Sequence, residues 1–394
     1  MDINKRVEEI FDELVHIRRD FHINPELSQQ EFRTQKEIQD YLNEWGIENY
    51  VCAETGVVGL IKGKTPGKTI GIRADIDALP INEKSDHSYC SLNEGVMHAC
   101  GHDAHTTILL GIAKVMKEMA DSEDSIKGNV KLLFQPAEET IGGAQRMVKE
   151  GCMQNPTVDY VLGLHVMAYI EAGTVELKYG KLNASTDSIK ITLKGTSAHG
   201  AYPDKGIDAI AMAGSVITSL QTIVSRNISP LNSVVISLGR ISGGVKDNVI
   251  ADEVNITGTL RALDNDTRNY TKQRIRDIVT NTASAYGGQG VVNFHDGYQA
   301  LINNDEVVDV VKANAERLLG KENVVFKEFP SLGAEDFSYF SDVAKGAFFH
   351  LGCGNKERGI TSLIHTDTFD IDEECLKTGV RLQIENVLSL LRQS

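Results

Sequence analysis

No run in this sequence is apolar for long enough to cross a membrane. The nearest approach, residues 106–119, is interrupted by Lys114, Lys117 and Glu118, whereas a span needs about 20 predominantly apolar residues. The first residues include Asp2, Lys5, Arg6, Glu8 and Glu9, without the apolar stretch and small-residue cleavage site of a secretory signal. Cysteine is sparse: Cys52, Cys90, Cys100, Cys152, Cys353 and Cys375 are scattered over 394 residues, unlike the dense clusters of disulfide-stapled secreted domains. These absences lead us to expect a soluble protein of a reducing cytoplasm. Positive charge is also in deficit, with 40 Lys and Arg against 55 Asp and Glu and a formal net charge of −15. Such a surface repels a phosphate backbone or an anionic membrane, so neither nucleic acid nor membrane is an expected partner.

The composition, 41% hydrophobic and 24% charged, is that of a globular chain, and its length exceeds what one core usually supports. Val7, Ile10, Phe11, Leu14 and Phe21 recur at helical spacing, and Ser28 with Glu31 reads as a capping box before a second helix ending near Gly46. Short apolar runs at 56–62, 69–74, 130–135 and 160–165 then alternate with helical segments such as 106–119. This predicts an α/β domain with a mixed, mostly parallel sheet flanked by helices. Between Ala184 and Asp296 the order changes to strand 188–193, helix 207–224, strands 234–241 and 254–261, helix 268–286 and strand 291–294. The order β-α-β-β-α-β predicts an inserted α+β lid of the ferredoxin-like type. Helices at 306–319 and 373–391 and a strand at 347–351 return the chain to the first domain, giving expected divisions 1–183, 184–296 and 297–394.

The densest chemical signal is MHACGHDAHT at 97–106, where Cys100 and His102 flank the entry to a helix. Thiolate and imidazole are zinc-type ligands, although either residue alone is more often structural. PAEE at 136–139 places Glu138 and Glu139 just after an apolar strand. Adjacent carboxylates there repel unless a cation neutralises one, and the bland reading is a solvated acidic turn. His165 ends the run 160–164 and His365 lies in IHTDTF; strand ends of this kind gather ligands in open α/β sheets. Cys100, His102, Glu139, His165 and His365 together offer donors for two divalent ions if one ligand bridges. The thiolate favours zinc, with manganese and cobalt as alternatives.

These segments closely resemble peptidase family M20, the aminoacylase and carboxypeptidase group, and within it the hippurate hydrolases and plant auxin-conjugate amidohydrolases. RRDFHINPELSQQE at 18–31, RADIDALP at 73–80, MHACGHDAHT, PAEE and GLHV at 163–166 carry the resemblance. So do TSAHGAYP at 196–203, DNVIADEVNITGTLRALD at 247–264, GAEDFSYF at 333–340 and IHTDTF. The resemblance implies a two-metal catalytic domain with the five ligands named, Glu138 as catalytic acid and base, and Asp77 as support of the metal centre. It further implies a lid that pairs two subunits, with His199 helping to hold the carbonyl oxyanion. Asn248 and Arg261 are candidates for binding the substrate backbone or carboxylate, and Arg261 has a structural salt bridge as its alternative. Most relatives outside the subgroup bridge the metals with an aspartate where Cys100 stands here, so the bridging ligand is open; Asp103 is the weaker candidate, as a supporting residue or helix cap.

The expected activity is hydrolysis of the amide bond of N-acyl amino acids or small peptides by a metal-activated water that gives its proton to Glu138. One rival is a covalent amidase with Cys100 as nucleophile, which leaves Glu138, Glu139, His165 and His365 without a task. Another is a non-catalytic metal-dependent binding protein of the same fold, which has no need of Glu138.

Overall fold

The computed structural model describes residues 1–122, 126–140 and 142–393. Contacts divide the chain into two compact units: Met1–Gly180 with Ile302–Phe329 and Asp336–Ser394, and Lys181–Leu301 with Pro330–Glu335.

The first unit is built on an eight-stranded sheet. Its strands run in the order Glu48–Cys52, Gly56–Lys62, Lys127–Gln135, Thr65–Asp75, Tyr160–Glu171, Lys345–Gly354, Val175–Leu177 and Val324–Phe326. The central pairings are parallel, and Glu48–Cys52 and Gly56–Lys62 add antiparallel strands at one edge. Ile70, Ile72, Val130, Leu132, Phe134, Val161, Leu162, Phe349 and Leu351 are all buried, because helices cover both faces and every second residue still meets apolar neighbours. Parallel pairing also brings the carboxyl ends of the central strands to one edge. Asp75 lies opposite Gln135 and Arg73 opposite Gly163, which carries His165 to the level of Asp75.

The expected first helix is two, Ile3–Glu9 and Phe11–Ile23, broken at Ile10 (φ −97°, ψ 3°), and Phe32–Glu44 follows. The capping box does not form. Ser28 Oγ instead donates to Asp77 Oδ2 at 2.6 Å, and Glu31 accepts from Ala137 N–H at 2.9 Å and Thr55 Oγ1 at 2.6 Å. Glu26 takes over the helix end, its two carboxylate oxygens accepting from Arg33 and Thr34 N–H at 3.0 and 2.8 Å. The strands Val175–Leu177 and Val324–Phe326, three residues each, are too short to leave an alternating pattern in the sequence.

The second unit is a four-stranded antiparallel sheet in the order Gln289–Asp296, Ser185–Lys194, Glu253–Ala262, Val234–Gly243. Numbered along the unit, the strand order is 4-1-3-2, with helices Ala209–Thr222 and Asn265–Ala285 inserted as the ferredoxin-like pattern requires. Ile189, Ile191 and Leu193 alternate inward and meet Met212, Val216, Ile256, Ile275 and Val279. Pro330–Glu335 joins this unit through the backbone, with Ser331 N–H on Leu182 O at 2.8 Å and Ala184 N–H on Ser331 O at 3.0 Å. Among the described residues, no helix is long and apolar enough to cross a membrane.

Two expected outcomes follow from this packing. Glu26→Ala should destabilise the protein by about 1 kcal/mol in urea unfolding, since it removes both acceptors from the start of helix Phe32–Glu44. The second concerns Glu176, whose carboxylate accepts from His350 and Tyr169 at 2.7 Å each. Burial opposes its ionisation, yet these partners and Lys327 hold its pKa at about 2 against an ordinary 4.5. A depressed carboxyl stabilises the fold above its unfolded value and loses that contribution as pH falls from about 4.5 towards 2. The drop in melting temperature on acidification through this window should therefore be smaller in Glu176→Gln than in the native chain.

Candidate metal centre

The donors gather where the parallel strands of the first unit end. Gly101, at φ 81°, turns the chain into helix His102–Asp121. A Cβ on Gly101 would meet Val166 Cγ2 at 2.3 Å, so only glycine admits both the left-handed backbone and the close approach. Cys100 is thereby held just before the helix and His102 at its first position. Strand Lys127–Gln135 runs into Pro136 and Ala137, the latter at φ 53°, and presents Glu138 and Glu139. His165 comes from strand Tyr160–Glu171. His365, at φ 63°, is set by its own N–H donating to Ala99 O at 2.8 Å.

Cys100 Sγ lies 3.3 Å from His165 Nε2 and 3.2 Å from His365 Nε2. Glu139 Oε1 is 3.2 Å from His365 Nε2 and 3.9 Å from His102 Nε2. Two donor groups, Cys100 with His102 and His165 and Cys100 with Glu139 and His365, share the thiol, and Glu138 groups with His102 and Glu139. Ligand atoms on zinc bonds of about 2.0–2.3 Å stand roughly 3.3–3.7 Å apart in a tetrahedron, and the separations here, from 3.2 to 3.9 Å, straddle that range. His102 Nε2 and Glu139 Oε1 are buried without an aligned hydrogen-bond partner. A divalent cation would satisfy both, so the donor set fits metal.

Supporting contacts fix the rings. His102 Nδ1 lies 2.9 Å from the carbonyl oxygen of Asp77 and 3.2 Å from Oδ1. That nitrogen carries the proton and turns the Nε2 lone pair towards the donors. His165 Nδ1 is likewise 2.8 Å from Val166 O. Asp77 Oδ2 also accepts from Ser28 Oγ and from Glu139 N–H at 3.0 Å. Burial opposes ionisation of Asp77, but His102, Ser28 and the Glu139 N–H hold its carboxyl below the ordinary range.

Burial, followed by the charges of Glu139, Glu138 and Asp75, pushes the Cys100 thiol well above its usual range. A nucleophilic cysteine needs the opposite environment, which counts against the covalent amidase even though Cys100 touches two imidazoles.

Sequence reasoning passed over Asp75 and His105, both inside the quoted motifs. His105 donates from Nδ1 to Asp75 Oδ1 at 2.6 Å and accepts at Nε2 from Val166 N–H at 2.9 Å, so both ring nitrogens are engaged and it braces the strand that carries His165. Arg73 holds Asp75 in turn at 2.7 Å. Asp103 sits inside the first turn of the helix, bound to Arg18 Nε at 2.8 Å and His22 Nδ1 at 2.7 Å, with its carboxyl pinned below the ordinary range against strong burial. It ties the start of the helix to Phe11–Ile23.

In the second unit His199 is exposed, with Nδ1 accepting from Ala201 N–H at 3.1 Å. Asn248 is beside it, its carbonyl accepting from Gly200 N–H at 2.8 Å. Arg261 is not brought to them: it lies at the far end of strand Glu253–Ala262, roughly 27 Å along eight residues, and donates to Leu332 O at 3.3 Å.

Residues 71–388 match the family described as Peptidase family M20/M25/M40. The chain belongs to this family. Family relatives include thermostable carboxypeptidase 2 of Saccharolobus solfataricus, 40% identical over 95% of this chain and 94% of that protein. Hippurate hydrolase of Campylobacter jejuni is 39% identical over 89% of this chain and 91% of its own length. Among solved structures, the YXEP protein of Bacillus subtilis, described as a dinuclear metal binding peptidase from the M20 family, superposes with a TM-score of 0.84 at 32% identity and covers 98% of this chain and 100% of its own. This M20 protein is a metal-dependent amidohydrolase or peptidase.

Gly101→Ala tests the local geometry. Left-handed strain and the Val166 contact should together cost about 2 kcal/mol or more in urea unfolding, and zinc affinity measured by chelator competition should fall with it.

Proposed function

We propose that the chain hydrolyses the amide bond of N-acyl amino acids or short peptides at a two-metal centre, with zinc as the metal. The observation that carries the reading is the convergence of Cys100, His102, Glu139, His165 and His365 at co-ligand separations, with Glu138 grouped beside them. Cys100 stands in both donor groups, which favours it as the shared ligand. When bound, the cations would supply Lewis acidity at the amide carbonyl and bring the pKa of a water from about 15.7 towards 7.

The remaining work belongs to the chain. Glu138, 9% exposed, takes the proton of the attacking water and returns it to the departing nitrogen, so that an amine and not an amide anion leaves. Asp77 keeps His102 in the tautomer that points Nε2 inward. His199, exposed with its Nε2 at liberty to donate, serves the oxyanion that develops on the carbonyl, and Asn248 beside it binds the substrate's backbone or carboxylate. Arg261, remote from both, supports the segment 330–335. The divisions near 184 and 296 act as the linkers of the lid, the lid pairs two subunits, and the protein works in the cytoplasm.

Substrate class rests on the relatives: one is named for hippurate, an N-acyl amino acid, and another for carboxypeptidase activity. Liberated amine is to be measured over a panel of N-acyl amino acids and dipeptides. Glu138→Gln should keep its metal and lose about 10²–10⁴-fold in kcat, whereas Glu139→Gln should lose metal first. A chelator should abolish activity and added zinc restore it. Amine release by a preparation verified to be metal-free, or equal metal loss in the two glutamate variants, would contradict the assignment.

A further inference from the structure

A second group of metal-type donors lies in the first unit and shares no residue with the centre described. His22 from helix Phe11–Ile23, Glu83 and His87 bring one ring nitrogen of each histidine and one carboxylate oxygen within 4.8 Å of one another. Each imidazole Nε2 stands 3.4 Å from the same carboxylate oxygen. A charge-assisted hydrogen bond between these groups would close to about 2.7–2.9 Å. Ligands of one tetrahedral zinc on bonds of about 2.0–2.1 Å stand roughly 3.3–3.4 Å apart. The two Nε2–Oε1 separations are therefore those of co-ligands, although His22 Nε2 also keeps the alignment of a long hydrogen bond to that oxygen.

The far side of each ring is arranged accordingly. His22 Nδ1 meets Asp103 Oδ2 at 2.7 Å, and His87 Nδ1 faces Asp370 Oδ2 at 3.7 Å. For His22 the carboxylate on Nδ1 holds the proton there and leaves Nε2 as the donor atom, the arrangement that orients metal-binding histidines; the His87 contact is too long for a hydrogen bond and only places a negative charge behind the ring. His22 is fully buried and the His87 side chain is 21% exposed, so the group is anchored inside and open to solvent on one side. His87 Nε2 is a buried atom without a hydrogen-bond partner. Tyr89 stacks on the His87 ring at 4.4 Å and donates to Asp370 at 3.0 Å.

Charge points the same way. Arg18 reaches Asp103 at 2.8 Å and Asp370 at 3.0 Å, and Glu373, 3.4 Å from Arg18, also pairs with Arg19 at 2.7 Å. Glu83, only 4% exposed, has no guanidinium of its own. Its Oε2 accepts from Ser91 N–H at 2.7 Å, the Cys90 thiol lies against the carboxylate, and its Oε1 faces the two imidazoles.

We propose that His22, Glu83 and His87 form a third cation site, selective for zinc through two imidazoles and one carboxylate, with its fourth position open to water. The ion clamps the segment between Asp75 and His102, which contains no helix or regular strand, to the helix that carries Arg18 and His22. The site is separate from the two-metal reading and stands without it.

The test counts zinc per chain by elemental analysis on native protein, His87→Ala and Glu83→Gln, each saturated with zinc and dialysed, with affinities from competition against a chromophoric chelator. The native chain should hold one ion more than either variant, or hold that ion more than tenfold tighter, while kcat per loaded chain stays unchanged in His87→Ala. Zinc should also raise the melting temperature of the native chain more than that of the variants, and anomalous scattering at the zinc edge should peak between His22 and His87. Identical counts and affinities in all three proteins would overturn the site and leave a protonated His22 bridging Asp103 and Glu83. Because the readout is the difference between native and variant, absence of the two-metal centre lowers every count alike and remains distinguishable. Should His87→Ala fail to fold, Glu83→Gln alone carries the comparison, since it preserves the shape of the side chain.

Discussion

The carboxylate of Asp77 is the joint on which the centre depends. It is buried, and a buried charge is stable only when its lone pairs are fully engaged. Here they are taken by three distant parts of the chain: the Ser28 hydroxyl, the His102 ring and the backbone of Glu139. Satisfying one charge thus fixes the N-terminal segment, the entry to helix His102–Asp121 and the acidic turn in a single arrangement. Around it a second layer repeats the device, with Arg73 holding Asp75, Asp75 holding His105, and His105 holding the strand that delivers His165. The rings of His102, His105 and His165 are oriented by groups that are themselves held, the kind of support that keeps ligands in place against the mutual repulsion of Glu138 and Glu139.

Much of this was legible in the sequence because the chemistry is compositionally rare. A thiol, three imidazoles and two adjacent carboxylates, all at ends of apolar runs, have few joint uses, and the parallel sheet follows from runs too apolar to face water. The lid was legible through strict alternation in Ser185–Lys194 and two long helical periods. What was not legible depended on where a side chain turns. Ser28 and Glu31 have the spacing of a capping box, yet both reach away from their helix to Asp77 and to the Ala137 and Thr55 contacts, and no local pattern records that choice. His102 and His105 are three residues apart on one helix, and only the Val166 N–H distinguishes a ring with a spare nitrogen from one without. Arg261 belongs to a stretch that resembles the family throughout, but the extended strand carries it far from Asn248.

Positive backbone angles mark the same region. Gly101, Ala137 and His365 all adopt left-handed conformations, and two of them are not glycine. Non-glycine residues hold such angles only when their surroundings over-determine them. For Ala137 the surroundings are Glu31, and for His365 the Ala99 carbonyl. Local propensity is thus overruled where donors are delivered, and the hydrogen bonds that overrule it come from elsewhere in the chain.

The bond between His365 N–H and Ala99 O joins positions separated by most of a catalytic domain and the whole of an inserted one. During synthesis the segment around Cys100 leaves the ribosome long before its partner exists, and the intervening unit, with its own core, is able to fold in that interval. Until residue 365 arrives, the thiol faces an unfinished pocket and lacks one of its two imidazole neighbours. The birth of the site is therefore a late event, and oxidation of an uncovered sulfur is the hazard of that waiting time.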